Sequence, residues 1–232
     1  MALVTGANKG LGLEIARQLA HKGMTVVVGA RDEEKAKTAA DKLKGEGLDV
    51  HPVKLDVTSA EDIGKLPQFF QERFGQLDVL VNNAGVTYDF EDDITADTLR
   101  RTYETNVIGP FAITKALLPL LKASPAGRIV NQSSMLGSLT LMSKGQGGEF
   151  MKPGYTTSKA ALNMLTVITA QELKGTKVKV NAAHPGWVQT DLGGKNAPLS
   201  VEEGAKTAVE LATLDENGPT GAFLHKGKPM PW

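Results

Sequence analysis

The 232-residue chain contains no cysteine. Disulfides, thiolate metal sites and a cysteine nucleophile are therefore excluded. It has no surplus of either charge, because 26 basic residues balance 26 acidic ones. No global field draws it to nucleic acid or to a membrane, so any anion must be recognised locally. No apolar run approaches the roughly 18 uninterrupted residues of a membrane span. The N-terminal MALVTGANKG lacks a basic n-region and a long apolar h-region, which makes a cytoplasmic location the expectation. Four histidines, at 21, 51, 184 and 225, show no ligand spacing, and no metal site is expected. The triplet Asn131-Gln132-Ser133 matches a glycosylation sequon, but it lies in an apolar run and reads as chance.

Short β-branched apolar runs alternate with longer segments of helical period. The runs are Ala2–Thr5, Thr25–Gly29, Val50–Leu55, Leu77–Val81, Arg128–Gln132, Lys177–Ala182 and, more weakly, Gly221–Leu224. The helical segments are Leu11–His21, Glu33–Lys44, Ala60–Phe74, Ala96–Leu121, Tyr155–Leu173 and Val201–Leu214. Continuous apolar strands suit a parallel sheet buried on both faces, with the helices as right-handed crossovers. The expected fold is a doubly wound (Rossmann) three-layer α/β/α sandwich, in one domain spanning 1–232, with a mostly parallel seven-stranded sheet. Two glycine-containing stretches, 137–154 and 186–198, break the rhythm after strand ends, where such sheets bind ligands. They read as substrate loops.

Between the first strand and the first helix stands Thr5-Gly6-Ala7-Asn8-Lys9-Gly10-Leu11-Gly12. Glycines permit a tight turn and close backbone approach to a pyrophosphate, and a helix N-terminus favours negative charge. The second strand ends Val28-Gly29-Ala30-Arg31, with a cation where an NAD site would carry an acid for the ribose hydroxyls. Arg31 with Lys9 is suited to clamp a 2′-phosphate, which points to NADP(H); Lys35, a turn later, is a possible third charge. Asp32 reads as the N-cap of the next helix.

Tyr155 and Lys159 stand at i and i+4 on one helix face. A neighbouring ammonium is expected to lower the phenol pKa toward working pH and make Tyr155 a general acid for a carbonyl oxygen. Such a pair is common by chance. Its company is not: the TGxxxGxG loop, Asn82-Asn83-Ala84-Gly85, Asn106, Ser133-Ser134, the YxxxK and His184-Pro185-Gly186 occur in order along the chain. Together they make the whole chain resemble the short-chain dehydrogenase/reductase family. The resemblance implies a catalytic set of Asn106, Ser134, Tyr155 and Lys159. Ser134 would hold the substrate carbonyl, Tyr155 would protonate it, Lys159 would bind the nicotinamide ribose, and Asn106 would hold a relay water. Ser134 is chosen over Ser133 as the second of the pair. The implied cofactor contacts are Gly6, Asn8, Lys9, Gly10, Leu11 and Gly12, Arg31, Asp56 and Val57 near the adenine, Asn83, Ala84 and Gly85, and Pro185, Gly186, Val188 and Thr190 at the nicotinamide end, besides Tyr155 and Lys159. The implied activity is NADPH-dependent reduction of a small hydrophobic ketone or aldehyde. The alternatives are an NAD-dependent alcohol dehydrogenase working in oxidation and a non-catalytic dinucleotide sensor.

Pro110 lacks the N–H that would bond the Asn106 carbonyl, so that carbonyl is free to bind a water and a kink is expected there. Twenty residues separate Ser134 from Tyr155, more than in typical family members. This spacing, TGANKGLG, HPGWVQTDLGG and the C-terminal end resemble the carbonyl reductase branch. The larger insertion of that branch can cover the usual subunit interface; here it is much shorter, which leaves monomer, dimer or tetramer open. Asp89-Phe90-Glu91-Asp92-Asp93 reads as a solvated acidic loop, with repulsion of anionic substrates as the functional alternative. Leu141, Met142, Phe150 and Trp187 offer either an apolar substrate wall or the packing of their own loops.

Overall fold

A computed structural model describes residues 1–89 and 94–232. Its parallel strands are β1 Ala2–Thr5, β2 Val26–Ala30, β3 Val50–Lys54, β4 Val79–Asn82, β5 Arg128–Gln132, β6 Lys179–Ala183 and β7 Phe223–His225. β1, β2, β4 and β5 are buried along their whole length, which explains why they read as unbroken apolar runs. The helices are α1 Gly10–His21, α2 Glu33–Gly45, α3 Ala60–Arg73, α4 Ala96–Tyr103, α5 Gly109–Ala123, α6 Leu139–Met142, α7 Pro153–Glu172 and α8 Val201–Ala212. Local signals start several of them. Asp32 accepts from the Lys35 N–H as the N-cap of α2, and Ser59 and Ser200 do the same for α3 and α8.

The strand order is β3-β2-β1-β4-β5-β6-β7-β8. The expected seven strands gain an eighth, Lys228–Pro229, antiparallel to β7. Two residues carry no readable period, and the hairpin depends on a tight turn with Lys226 and Gly227 both at positive φ. Successive strand positions feed two cores. Val4, Ile15, Leu19, Val28, Val81, Val130 and Ala208 pack on the α1/α8 face, and Leu3, Val27, Phe70, Leu80, Ile113, Leu117 and Val180 on the other.

The order reverses between β1 and β4, which puts the ligand crevice at their C-terminal ends. There Thr5 Oγ1 accepts from the N–H groups of Asn83 and Ala84, both at 3.0 Å. The single kinked helix expected over Ala96–Leu121 is instead two helices joined by an irregular turn just before Pro110. The interruption is a π-helical turn at Glu104–Ile108, closed by the Gly109 N–H on the Glu104 carbonyl.

Candidate active site

The glycine loop is held by backbone contacts that exclude side chains. Gly6 and Gly10 have φ of +62° and +54°. A Cβ on Gly12 would lie 2.5 Å from the Gly6 carbonyl and would collide with Asn83 Nδ2. That amide donates to the carbonyl of Thr5 at 2.9 Å and of Gly6 at 3.3 Å. Asn83 therefore fastens the loop to the segment after β4. Lys9, the residue before α1, makes no side-chain cap, and the first turn of the helix has no acid. Its free N–H groups suit an anion. Thr190 reaches this point as well, its methyl 3.7 Å from where a Gly10 Cβ would stand. Leu11 and Val188 meet over Gly204 of α8, where a Cβ would come within 3.3 Å of Leu11 and 2.5 Å of Val188.

The cations differ in their freedom. Arg31 is exposed at the tip of β2, and among the described residues it forms no ion pair. Lys35 is drawn toward Asp32 at 3.8 Å. Lys9 pairs with Asp191 of the 186–198 segment, a partner that the sequence does not reveal. Asp56 Oδ1 is taken by the N–H and hydroxyl of Thr58, and the Val57 side chain packs on Gly109 of α5. With a free cation at the β2 tip and an uncapped α1, these residues fit a phosphorylated dinucleotide.

At the chemical end, the Ser134 hydroxyl lies close enough to the Tyr155 phenol to pull its pKa down, and Ser134 Oγ accepts from the Leu136 N–H at 3.2 Å. Ser133 turns the other way and donates to Asn163 Oδ1 at 2.6 Å. Lys159, on the same helix as Tyr155, donates to the Gln132 carbonyl at 2.8 Å, and its Nζ lies 5.4 Å from the Tyr155 ring centroid. Asn106 is fully buried. Its Oδ1 accepts from the Val86 N–H at 2.9 Å, and its Nδ2 donates to the Val86 carbonyl at 2.9 Å and to Ser158 Oγ at 3.0 Å. Gly85 leaves space beside Lys159 Nζ and Asn106 Oδ1, at 3.5 and 3.6 Å from a Cβ built there.

The spacing of Tyr155 and Lys159 predicts a phenol lowered by the ammonium, and the structure corrects this. Burial pushes the phenol up to about 12, against a smaller downward pull from Ser134, and pushes Lys159 down to about 8. The ammonium donates to the Gln132 carbonyl, and desolvation is the leading cause of the shift in both groups. The result still serves proton donation. Tyr155 keeps its proton at neutral pH, and Lys159 exchanges one near it. His184 is pushed down to about 3 by burial and by the His225 ring 4.8 Å away. As a neutral ring, it accepts from the Met135 N–H at 3.2 Å and so braces the turn after Ser134.

The reading of the acidic loop is corrected at Asp89. Phe90–Asp93 lie outside the described residues, but Asp89 is 6% exposed rather than solvated. Its carboxylate accepts from the N–H groups of Gly154 at 2.9 Å and Tyr155 at 2.6 Å. Only a structure could reveal a cap supplied from 66 residues away. Of the apolar loop residues, Met142 is buried in its own loop, whereas Phe150 and Trp187 are half-exposed and touch at 5.6 Å between ring centroids.

Residues 1–198 match the family model of the short chain dehydrogenases. Over the whole chain the sequence is 38% identical to carbonyl reductase [NADPH] 1 of Mus musculus, covering 98% of that protein in a 276-position alignment. It is 35% identical to (-)-isopiperitenone reductase of Mentha piperita, with 99% of this chain and 97% of that protein covered. Among solved structures, NADPH-bound carbonyl reductase from chicken fatty liver superposes with a TM-score of 0.86 at 32% identity, covering 100% of this chain and 98% of that one.

Proposed function

The chain belongs to the short-chain dehydrogenase family, and on that premise we propose that it reduces ketone or aldehyde carbonyls to alcohols with NADPH, Tyr155 giving the proton. The observation that carries this reading is the convergence of the Ser134 hydroxyl, the Tyr155 phenol and the buried Lys159, whose Nζ lies 5.4 Å from the phenol ring centroid. Two hydroxyls that meet at one point can both donate to a carbonyl oxygen placed between them, and that oxygen gains negative charge during reduction. When bound, NADPH supplies the hydride to the carbonyl carbon. Tyr155 protonates the oxygen, Ser134 holds it, and the buried Lys159 is placed to return a proton to the phenol side of the site. Arg31 and Lys9 are the residues that would hold the 2′-phosphate, and the N-terminus of α1 the pyrophosphate. Exposed Leu139, Phe150, Met151, Trp187 and Leu192 favour a hydrophobic substrate. A cytoplasmic location goes with this reading. No helix among the described residues is long and apolar enough to cross a membrane.

The test is a panel of hydrophobic aldehydes, ketones and quinones assayed with NADPH and NADH in parallel. Turnover with NADPH well above that with NADH is expected. Tight NADPH binding without turnover on any member would favour a dinucleotide sensor instead.

A further inference from the structure

Tyr155 is gripped at both ends of its backbone. Its N–H donates to Asp89 Oδ2 at 2.6 Å, and its carbonyl accepts from Ser158 Oγ at 2.7 Å. Ser158 Oγ in turn accepts from Asn106 Nδ2, whose side chain clamps both backbone groups of Val86. Val86 and Asp89 belong to the same short segment after β4, so the contacts form a closed ring through Tyr155. α7 has no cap of its own, because Lys152 at its N-terminus makes no side-chain hydrogen bond. Asp89 supplies that cap, and among the described residues no cation shares its carboxylate. Its partners are the two helix N–H groups and Thr87 Oγ1 at 3.1 Å. Gly154 is the residue that makes room, since a Cβ there would lie 2.6 Å from Asp89 Oδ1.

We propose that Asp89 is a positioning residue for proton donation: it fixes the first turn of α7 and thereby the place of the Tyr155 phenol beside Ser134. The proposal rests on the carbonyl-reductase reading. The phosphates of the dinucleotide fall to other elements, the glycine loop and the β2 tip, and only its nicotinamide ribose would meet α7. Loss of Asp89 should therefore slow the chemical step far more than it weakens cofactor binding.

The test compares Asp89→Leu, which removes both acceptors, with Asp89→Asn, which keeps one acceptor oxygen. Three quantities are read: kcat for a carbonyl that the wild type reduces, the NADPH dissociation constant, and hydrogen exchange of the Gly154 and Tyr155 amides. Asp89→Leu is expected to lower kcat on the order of 100-fold, as misplacement by about 1 Å does. Its NADPH dissociation constant should stay within about twofold, the two amides should exchange faster, and Asp89→Asn should recover most of the lost kcat. Unchanged kcat in Asp89→Leu overturns the proposal, and so does a kcat loss matched by an equal loss of NADPH affinity. If the Leu variant does not fold, Asp89→Asn decides alone, through a several-fold kcat loss at unchanged NADPH affinity or none. A wild type inactive on the whole carbonyl panel overturns the functional reading and this proposal with it. An active wild type with an unimpaired variant overturns the Asp89 role only.

Discussion

At the dinucleotide end of the site, the glycine loop and the tip of β2 offer backbone N–H groups and exposed cations. At the chemical end, Asn106, Lys159 and Asp89 are buried side chains, each held by another part of the chain. The first region is built by leaving atoms out, the second by tying atoms together. One should break when atoms are added, the other when they are removed.

The largest effect is expected at the chemical end. Tyr155→Phe removes the hydroxyl that stands beside Ser134 and can give up a proton. Turnover should fall by about 1,000-fold or more, near the upper part of what general acid catalysis contributes. NADPH affinity, measured by titration, should change far less than turnover. A variant that binds NADPH equally well and retains a tenth of wild-type turnover would remove Tyr155 from its role.

The opposite operation tests the opposite end. Gly12→Ala adds one methyl group against the Gly6 carbonyl and the Asn83 amide that bonds it. Overpacking against backbone costs about 1–3 kcal/mol. The melting temperature should fall, and NADPH affinity should fall more than stability predicts, because the loop itself is displaced. A Gly12→Ala protein with native NADPH affinity would show that the cradle tolerates addition after all.

The same contrast explains what the sequence discloses. β1 through β7, α1 to α3 and α8 are legible because period, apolar runs and caps such as Asp32 and Ser200 are local signals. The glycine loop is legible for the same reason: its chemistry is in its spacing. The chemical end is legible as a list of residues and not as an arrangement. Nothing local tells that Ser133 faces Asn163 or that Lys159 bonds the Gln132 carbonyl. An aspartate beside three more acids within five positions looks solvated, although Asp89 caps a helix 65 residues away. Lys9 looks free until Asp191 is brought to it from the far side of the crevice.

Lys159 provides a prediction with a sign. Its pKa falls from 10.5 in an open chain to about 8 in the fold. Below about 8 both states hold the proton and the fold bears the full penalty of a buried ammonium. Between there and 10.5 the unfolded chain binds more protons, so stability rises with pH across that window. Lys159→Met should therefore be more stable than wild type at pH 7, by about 1–3 kcal/mol once the lost bond to the Gln132 carbonyl is counted. It should also lose the pH-dependent gain. Wild-type kcat/KM for reduction should decline as pH passes about 8 and the ammonium disappears. Melting curves at pH 7 and pH 10 check the first statement, and a destabilised Lys159→Met at pH 7 would contradict it.

The smallest effects belong to the exposed cations, and they separate Arg31 from Lys9. Arg31 has no competing acid among the described residues, so Arg31→Ala should raise the NADPH Michaelis constant about tenfold, the worth of a charge-assisted bond, and leave the NADH value alone. Lys9 is shared with Asp191, both largely exposed at 71% and 79%. A 2′-phosphate must compete with that carboxylate for the ammonium. Solvent screening limits such a pair to about 1 kcal/mol or less, so Asp191→Asn should tighten NADPH binding by no more than about fivefold. The gain should shrink as salt is added, because an exposed pair is screened within about 10 Å at 0.1 M ionic strength. If Asp191→Asn weakens NADPH binding instead, the pair orders the loop for the cofactor rather than competing with it, and Lys9 then belongs with the tied residues of the chemical end.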